Sequence, residues 1–187
     1  TNNGTAPVVA QVQMQTPPVQ YTADLCTGGT PSASSALGGY PASYAFDDND
    51  TSYWTSDLTP TPHTISYQHS TIRNIKRVAI QAINDATLYK RAPRNFTIEY
   101  YNGTSWIVAA TFTDVGWMSP GEKRYFEVDV DAWSLYWRIV ITGTDYGDGY
   151  VQIAEIEMFD HVYTADACTG GTASADTAFN PAANAFD

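Results

Sequence analysis

The chain has 187 residues, room for one domain of about 150 plus extensions, and its 43% hydrophobic content excludes a disordered chain. A formal net charge of −11, from 9 Lys plus Arg against 20 Asp plus Glu, repels phosphate and argues against nucleic acid and anionic membrane as partners. No apolar run approaches the roughly 20 residues of a membrane span, while 13% aromatic against 16% charged residues points to Tyr-, Trp- and Thr-rich strands.

Residues 1–20 differ in composition from the remainder of the chain. Val8, Val9, Val12 and Met14 suit an edge strand that Pro17-Pro18 then stops, so this segment is read as a linker or a strand of a preceding module. The chain begins at Thr1 rather than Met, so the lack of a signal peptide carries little weight. N-x-[ST] sequons at Asn3, Asn49, Asn95 and Asn102 are expected by chance in a chain this rich in Asn and Thr.

An internal repeat organises the chain from Tyr21 onward. Residues 21–30 read YTADLCTGGT and residues 163–172 read YTADACTGGT, and the likeness runs on from PASYAFD, ending at Asp47, to PAANAFD, ending at Asp187. The two copies lie about one domain length apart, which predicts one complete unit over residues 21–162 and the truncated start of a second over 163–187. Cys26 and Cys168 occupy equivalent places in the two copies. Two cysteines are too few for a disulfide scaffold and lack metal-ligand spacing, leaving two unpaired thiols or one bridge.

Within the complete unit, short alternating runs separated by turn residues predict an antiparallel sandwich. Val78 and Ile80 mark an early strand; Phe96-Thr97-Ile98-Glu99-Tyr100 alternates, and Asn102-Gly103 then signals a hairpin into Trp106–Phe112. Phe126, Val128 and Val130 alternate with Glu127 and Asp129, and Leu135 to Ile141 reads as a central strand. In the last run Val151 and Ile153 share one parity and Ile156 and Met158 the other, predicting a bulge or kink at Ala154-Glu155. No segment holds a helical period.

Three segments in this order carry a family resemblance: Ala45-Phe46-Asp47-Asp48-Asn49-Asp50-Thr51-Ser52-Tyr53-Trp54-Thr55, then Asn95–Tyr100 with Asn102-Gly103-Thr104-Ser105-Trp106, then Tyr150 to Met158. Together they resemble the discoidin domain, also called the coagulation factor V/VIII type C domain, and within it the bacterial family 32 carbohydrate-binding modules. The resemblance covers about residues 21–160. It implies an all-β, jelly-roll-like antiparallel β-sandwich of the galactose-binding-domain type, with binding loops at one end and a structural calcium ion beneath them. Carried over, the calcium ligands are the side chains of Asp47, Asn49, Ser52 and Glu155 with the carbonyls of Tyr44 and Ala154. Ser52 stands where the family more usually has Thr, and Asp48 where it has Gly; neither change removes an oxygen ligand. The residues support this independently, since calcium takes six to eight hard oxygens in flexible geometry. An Asx-rich turn without metal is the plain alternative. Trp54, Trp106 and Trp137 are assigned to the core.

Sugar recognition needs an aromatic face for the pyranose ring and a few fixed donors and acceptors. Two loops offer them: residues 84–91, with Asn84, Tyr89 and Arg91, and residues 144–150, with Tyr146 as the stacking candidate. Related sugar-binding modules often place an Arg in the first of these, although Arg91 and Arg94 also suit pairing with carboxylates. Trp117 is a third aromatic expected to be exposed, while spacing alone gives His63 and His69 no role.

No catalytic motif is present: neither GxSxG, nor HExxH, nor a glycine-rich phosphate loop. The reading is a non-catalytic, glycan-binding adhesion module of a tandem-repeat protein at an extracellular, cell or virion surface, with neighbouring copies adding avidity. The alternative is a structural repeat of a surface filament or bacteriophage tail fibre without a sugar ligand.

Overall fold

The computed structural model describes residues 19–162. Ten strands form: β1 (Thr30–Ala33), β2 (Trp54–Thr55), β3 (His63–Asn74), β4 (Arg77–Gln81), β5 (Pro93–Tyr101), β6 (Trp106–Phe112), β7 (Lys123–Glu127), β8 (Trp133–Thr144), β9 (Gln152–Ile153) and β10 (Glu155–Phe159). They pair as a five-stranded sheet β1-β3-β8-β5-β6, a three-stranded sheet β10-β4-β7 and a two-stranded β2-β9 ribbon. Every pairing is antiparallel. Two 3-10 turns, Ala42–Ala45 and Leu88–Arg91, are the helical elements among the described residues. The expected all-β sandwich is therefore the fold.

Alternation decides which face of each strand is buried. In β8, the central strand expected over Leu135 to Ile141, the side chains of Trp137, Ile139 and Ile141 are fully buried. They meet Phe96 and Ile98 of β5, Ile80 of β4 and Ile156 and Met158 of β10 in one core cluster. Each such side chain contributes about 1.5–3 kcal/mol through apolar surface removed from water. Trp54 is also fully buried, and its indole N–H donates to the Ser35 carbonyl at 3.0 Å.

The parity change expected at Ala154-Glu155 marks a change of sheet. Gln152–Ile153 pairs with β2, Glu155–Phe159 pairs with β4, and the Ala154 amide between them donates to the Gln81 carbonyl at 2.9 Å. The hairpin at Asn102-Gly103 closes with the Asn102 side-chain oxygen accepting from the Thr104 and Ser105 amides, and Gly103 takes φ 97 there.

The two ends of the described chain meet. Tyr21 and His161 form an antiparallel bridge, the Thr22 amide donates to Asp160, and the Val162 amide donates to Gln20. The Tyr21 hydroxyl donates to Glu127 at 2.6 Å and the Arg77 guanidinium lies 3.6 Å from its ring centroid.

One tryptophan departs from its core assignment. Trp106 is half-buried on the outer face of the five-stranded sheet, with the Arg138 guanidinium 4.1 Å from its ring centroid and Tyr101 alongside at 5.5 Å. Trp106 pairs with Tyr101, whose neighbour Tyr100 is the one that turns inward to meet Trp137. A register shift at Ile98/Glu99 changes the phase of this hairpin, which simple alternation does not show. Cys26 is buried, and burial pushes its thiol well up. Cys168, the first residues of the chain and the repeat from Tyr163 lie outside the described residues.

Candidate functional site

The acidic loop leaves the 3-10 turn at Phe46 and folds on its own polar groups. Asp48 sits at φ 56, a left-handed position that Asp tolerates better than most residues. The Asp47 carboxylate accepts from the Asn49 amide at 3.1 Å and faces the Ser52 hydroxyl at 2.8 Å. The Asn49 side-chain oxygen accepts from both the amide and the hydroxyl of Thr51, at 3.2 and 2.7 Å.

Glu155 reaches this loop from the first position of β10. It is 4% exposed, and its Oε2 has no hydrogen-bond partner among the described residues. Burial first, then the charges of Asp47 and Asp48, push its carboxyl up to about 8, against the pull of the Ile156 and Asn49 amides. The charges of Asp47 and Asp48 thus act on a buried Glu155 carboxyl. Among the described residues no three Asp, Glu, His or Cys side chains gather in a way that would hold a metal. The expected ligand set asks for less: two carboxylates, Asp47 and Glu155, with the remaining oxygens from Asn49, Ser52 and the Tyr44 and Ala154 carbonyls. The orphaned Glu155 oxygen and the hard-oxygen chemistry of this set fit a calcium ion.

Beside the acidic loop lies a cavity of ≈ 290 Å³ lined by Asp50, Thr51, Tyr53, Asn84, Asp85 and Leu88. Tyr53 stacks on Tyr40 with centroids 4.8 Å apart and 26° between planes, which fixes an aromatic wall. A hydrogen bond with Tyr40, with burial and the Asp85 charge adding to it, pushes the Tyr53 phenol up to about 12. Asp85 Oδ1 accepts from the Thr87 and Leu88 amides, both at 2.8 Å, and so shapes the loop that leads into Leu88–Arg91.

Of the residues expected to contact a sugar, Asn84 lines this cavity and is exposed. Arg91 is paired instead: its guanidinium bonds the Asp148 carboxylate and lies 5.1 and 4.8 Å from the ring centroids of Tyr146 and Tyr150. Tyr146 is 41% exposed, and its amide donates to the Lys90 carbonyl at 3.0 Å, tying the two loops together. Tyr89 is half-buried against the core. Trp117 overturns its expected exposure: it is 4% exposed, its indole N–H donates to the Pro93 carbonyl at 2.9 Å, and Arg124 lies 5.5 Å from its ring centroid. The loop folds back because the Val115 amide donates to Arg94, which carries the tryptophan under the sheet end.

His63 and His69 are both buried, bonded to the carbonyls of Gly149 and Leu25. Sequence reasoning missed Tyr40 and Tyr53, whose stacking joins two segments with no shared motif. It passed over Asp148 as a loop residue, although an acidic residue between Gly147 and Gly149 was the available signal.

The fold is shared with solved sugar-binding modules. A family 32 module of NanJ from Clostridium perfringens, in complex with galactose, is 21% identical at a TM-score of 0.65, covering 75% of this chain and 100% of that one. A second Clostridium perfringens structure, CpGH89CBM32-5 in complex with GalNAc-β-1,3-galactose, is 14% identical at a TM-score of 0.64, covering 74% and 100%. Chitosan-binding module 1 of a chitosanase/glucanase from Paenibacillus sp. IK-5 is 23% identical at a TM-score of 0.61, covering 74% and 98%. No curated protein matches the chain. The F5/8 type C domain matches residues 30–156, the greater part of the sequence, and the chain therefore belongs to the F5/8 type C, or discoidin, family.

Proposed function

We propose that this protein is a non-catalytic carbohydrate-binding module that acts in adhesion outside the cell, with a calcium ion holding the loops that carry its site. The observation that carries this reading is the open cavity between the acidic loop and residues 83–88, where the Tyr53 ring, the Asn84 amide and two carboxylates converge. Its neighbours in fold bind galactose, a GalNAc-galactose disaccharide and chitosan. A pyranose needs an aromatic face and a handful of fixed polar groups, and this wall supplies both. Calcium would be held by Asp47, Asn49, Ser52 and Glu155 with the carbonyls of Tyr44 and Ala154. It supplies positive charge that relieves the Asp47–Asp48–Glu155 repulsion and stiffens the loop beneath the cavity.

A glycan array probed with the chain in calcium, then in chelator, tests this. Binding to a defined sugar class that Tyr53→Ala abolishes supports the reading, and a folded, calcium-loaded chain that binds none overturns it. A second reading, a structural repeat in a surface filament or phage fibre, is favoured by the repeat at Tyr163 and by the meeting of Tyr21 with His161, which brings entry and exit of the unit together.

A further inference from the structure

The cavity has a charge as well as a shape. Asp50 and Asp85 stand on its wall, and no Lys or Arg lines it. Asp50 makes no side-chain hydrogen bond or ion pair among the described residues, and the bonds that the Asp85 carboxylate accepts both go to Oδ1, leaving Oδ2 open. The cation nearest in effect is Arg91, whose charge acts on both Asp85 and Tyr53. That charge is already met by Asp148. The next arginine, Arg94, is met twice, by Asp114 at 2.7 Å and Asp145 at 3.0 Å. Lys123, which lines a groove with Asp50, is met by Glu157 at 3.0 Å, so these cations pair outside the cavity while Asp50 and Asp85 form no ion pair among the described residues.

The apolar and aromatic part of the wall makes this more than an acidic patch. Leu88 and the Tyr53 ring offer a surface for the C–H face of a pyranose, and Asn84 adds one amide for a hydroxyl. Tyr53 stays a neutral phenol up to high pH, so the ring adds no charge of its own. An acidic sugar entering here meets two carboxylates and the field of a chain of net charge −11. A sugar bearing an ammonium group meets two acceptors and donates three N–H bonds.

We infer that the cavity selects sugars carrying a protonated amine, glucosamine-type residues, over neutral N-acetylated sugars and over acidic ones; the inference rests on the carbohydrate-binding reading above. The amine sits toward Asp50 and Asp85 while the ring stacks on Tyr53.

The test is a calorimetric titration of the whole chain, in calcium and at mildly acid pH where the sugar amines are protonated, with β-1,4-glucosamine oligomers, their N-acetylated counterparts, galactose and a sialylated lactose. The expected result is tighter binding of the glucosamine oligomers by about two- to fivefold, the size of one exposed ion pair, shrinking at high salt. Asp85→Asn keeps the Oδ1 acceptor for the Thr87 and Leu88 amides, so it folds, and it removes most of that preference, as does Asp50→Asn. Asp129→Asn, an exposed residue outside the cavity, leaves the preference intact. Lysine oligomers of equal charge bind more weakly than the glucosamine oligomers. Equal or tighter binding of the neutral sugars, a preference untouched by Asp50→Asn and Asp85→Asn, or equal binding of lysine oligomers overturns the amine selection and leaves sugar binding standing. Failure of every sugar overturns both.

Discussion

Arg91 and Asp148 form a part-buried ion pair that ties the loop after residue 83 to the loop before β9, with side-chain exposures of 16% and 27%. Two tyrosine rings, Tyr146 and Tyr150, flank the guanidinium. The pair holds the rim of the proposed site rather than presenting a free cation to a ligand. Arg91→Ala leaves a half-buried carboxylate unpaired and exposes two rings, so a loss of about 1–3 kcal/mol is expected, below the range for fully buried pairs because both side chains retain water contact. For a domain of this size that is a fall of several degrees in Tm by differential scanning calorimetry. Arg91→Lys is expected to recover only part of it, since an ammonium cannot reproduce the planar stacking.

Under the proposed calcium reading, Glu155 would couple metal binding to pH. Its folded-state carboxyl lies near 8, above the ordinary Glu value of 4.5, so the metal-free folded chain holds a proton that the unfolded chain releases. Stability of the metal-free protein therefore falls as pH rises from about 4.5 to about 8, at up to about 1.4 kcal/mol per unit. Calcium bound as proposed would displace that proton. Denaturant titrations in chelator at pH 5 and pH 8 should show the loss, calcium should reverse it at pH 8, and Glu155→Gln should flatten the slope and abolish the calcium response.

His69 has the opposite sign. Burial pushes its imidazole down to about 4 from the ordinary 6.5, and its ring bonds the Leu25 carbonyl. The unfolded chain binds the proton first, so stability present above pH 6.5 is lost as pH falls towards 4. His69→Leu should remove that acid-sensitive component, with less unfolding between pH 6.5 and pH 4 than the parent shows, while losing one hydrogen bond at neutral pH. Urea midpoints across that range are the measurement.

Trp137 and Trp106 separate core from surface within one sheet. Trp137 is fully buried, and Trp137→Ala is expected to cost about 3–5 kcal/mol. Trp106 lies on the outer face under Arg138, so Trp106→Ala should cost roughly 0.5–1.5 kcal/mol, a cation–π contact and some area. Equal losses in chemical unfolding would contradict the outward placement.

The class of fold was legible along the chain, because strand alternation is a local property. Trp137, Ile139 and Ile141 show their buried face at spacing two, Asn102-Gly103 shows its hairpin, and the parity change at Ala154-Glu155 shows where the chain passes from the β2 ribbon to the β4 sheet. The ordered motifs from Asp47 to Met158 were enough to expect the F5/8 type C family that residues 30–156 match. The partner of each loop side chain, by contrast, emerged only in the folded chain. Trp117 shelters beneath Pro93, Trp106 turns outward after a register shift, Arg91 is neutralised by Asp148, and Tyr40 meets Tyr53 to make a wall. Loops have no period, so exposure there depends on contacts between segments far apart in sequence: a tryptophan between glycine and methionine reads as solvent-facing until the sheet end that covers it is in place.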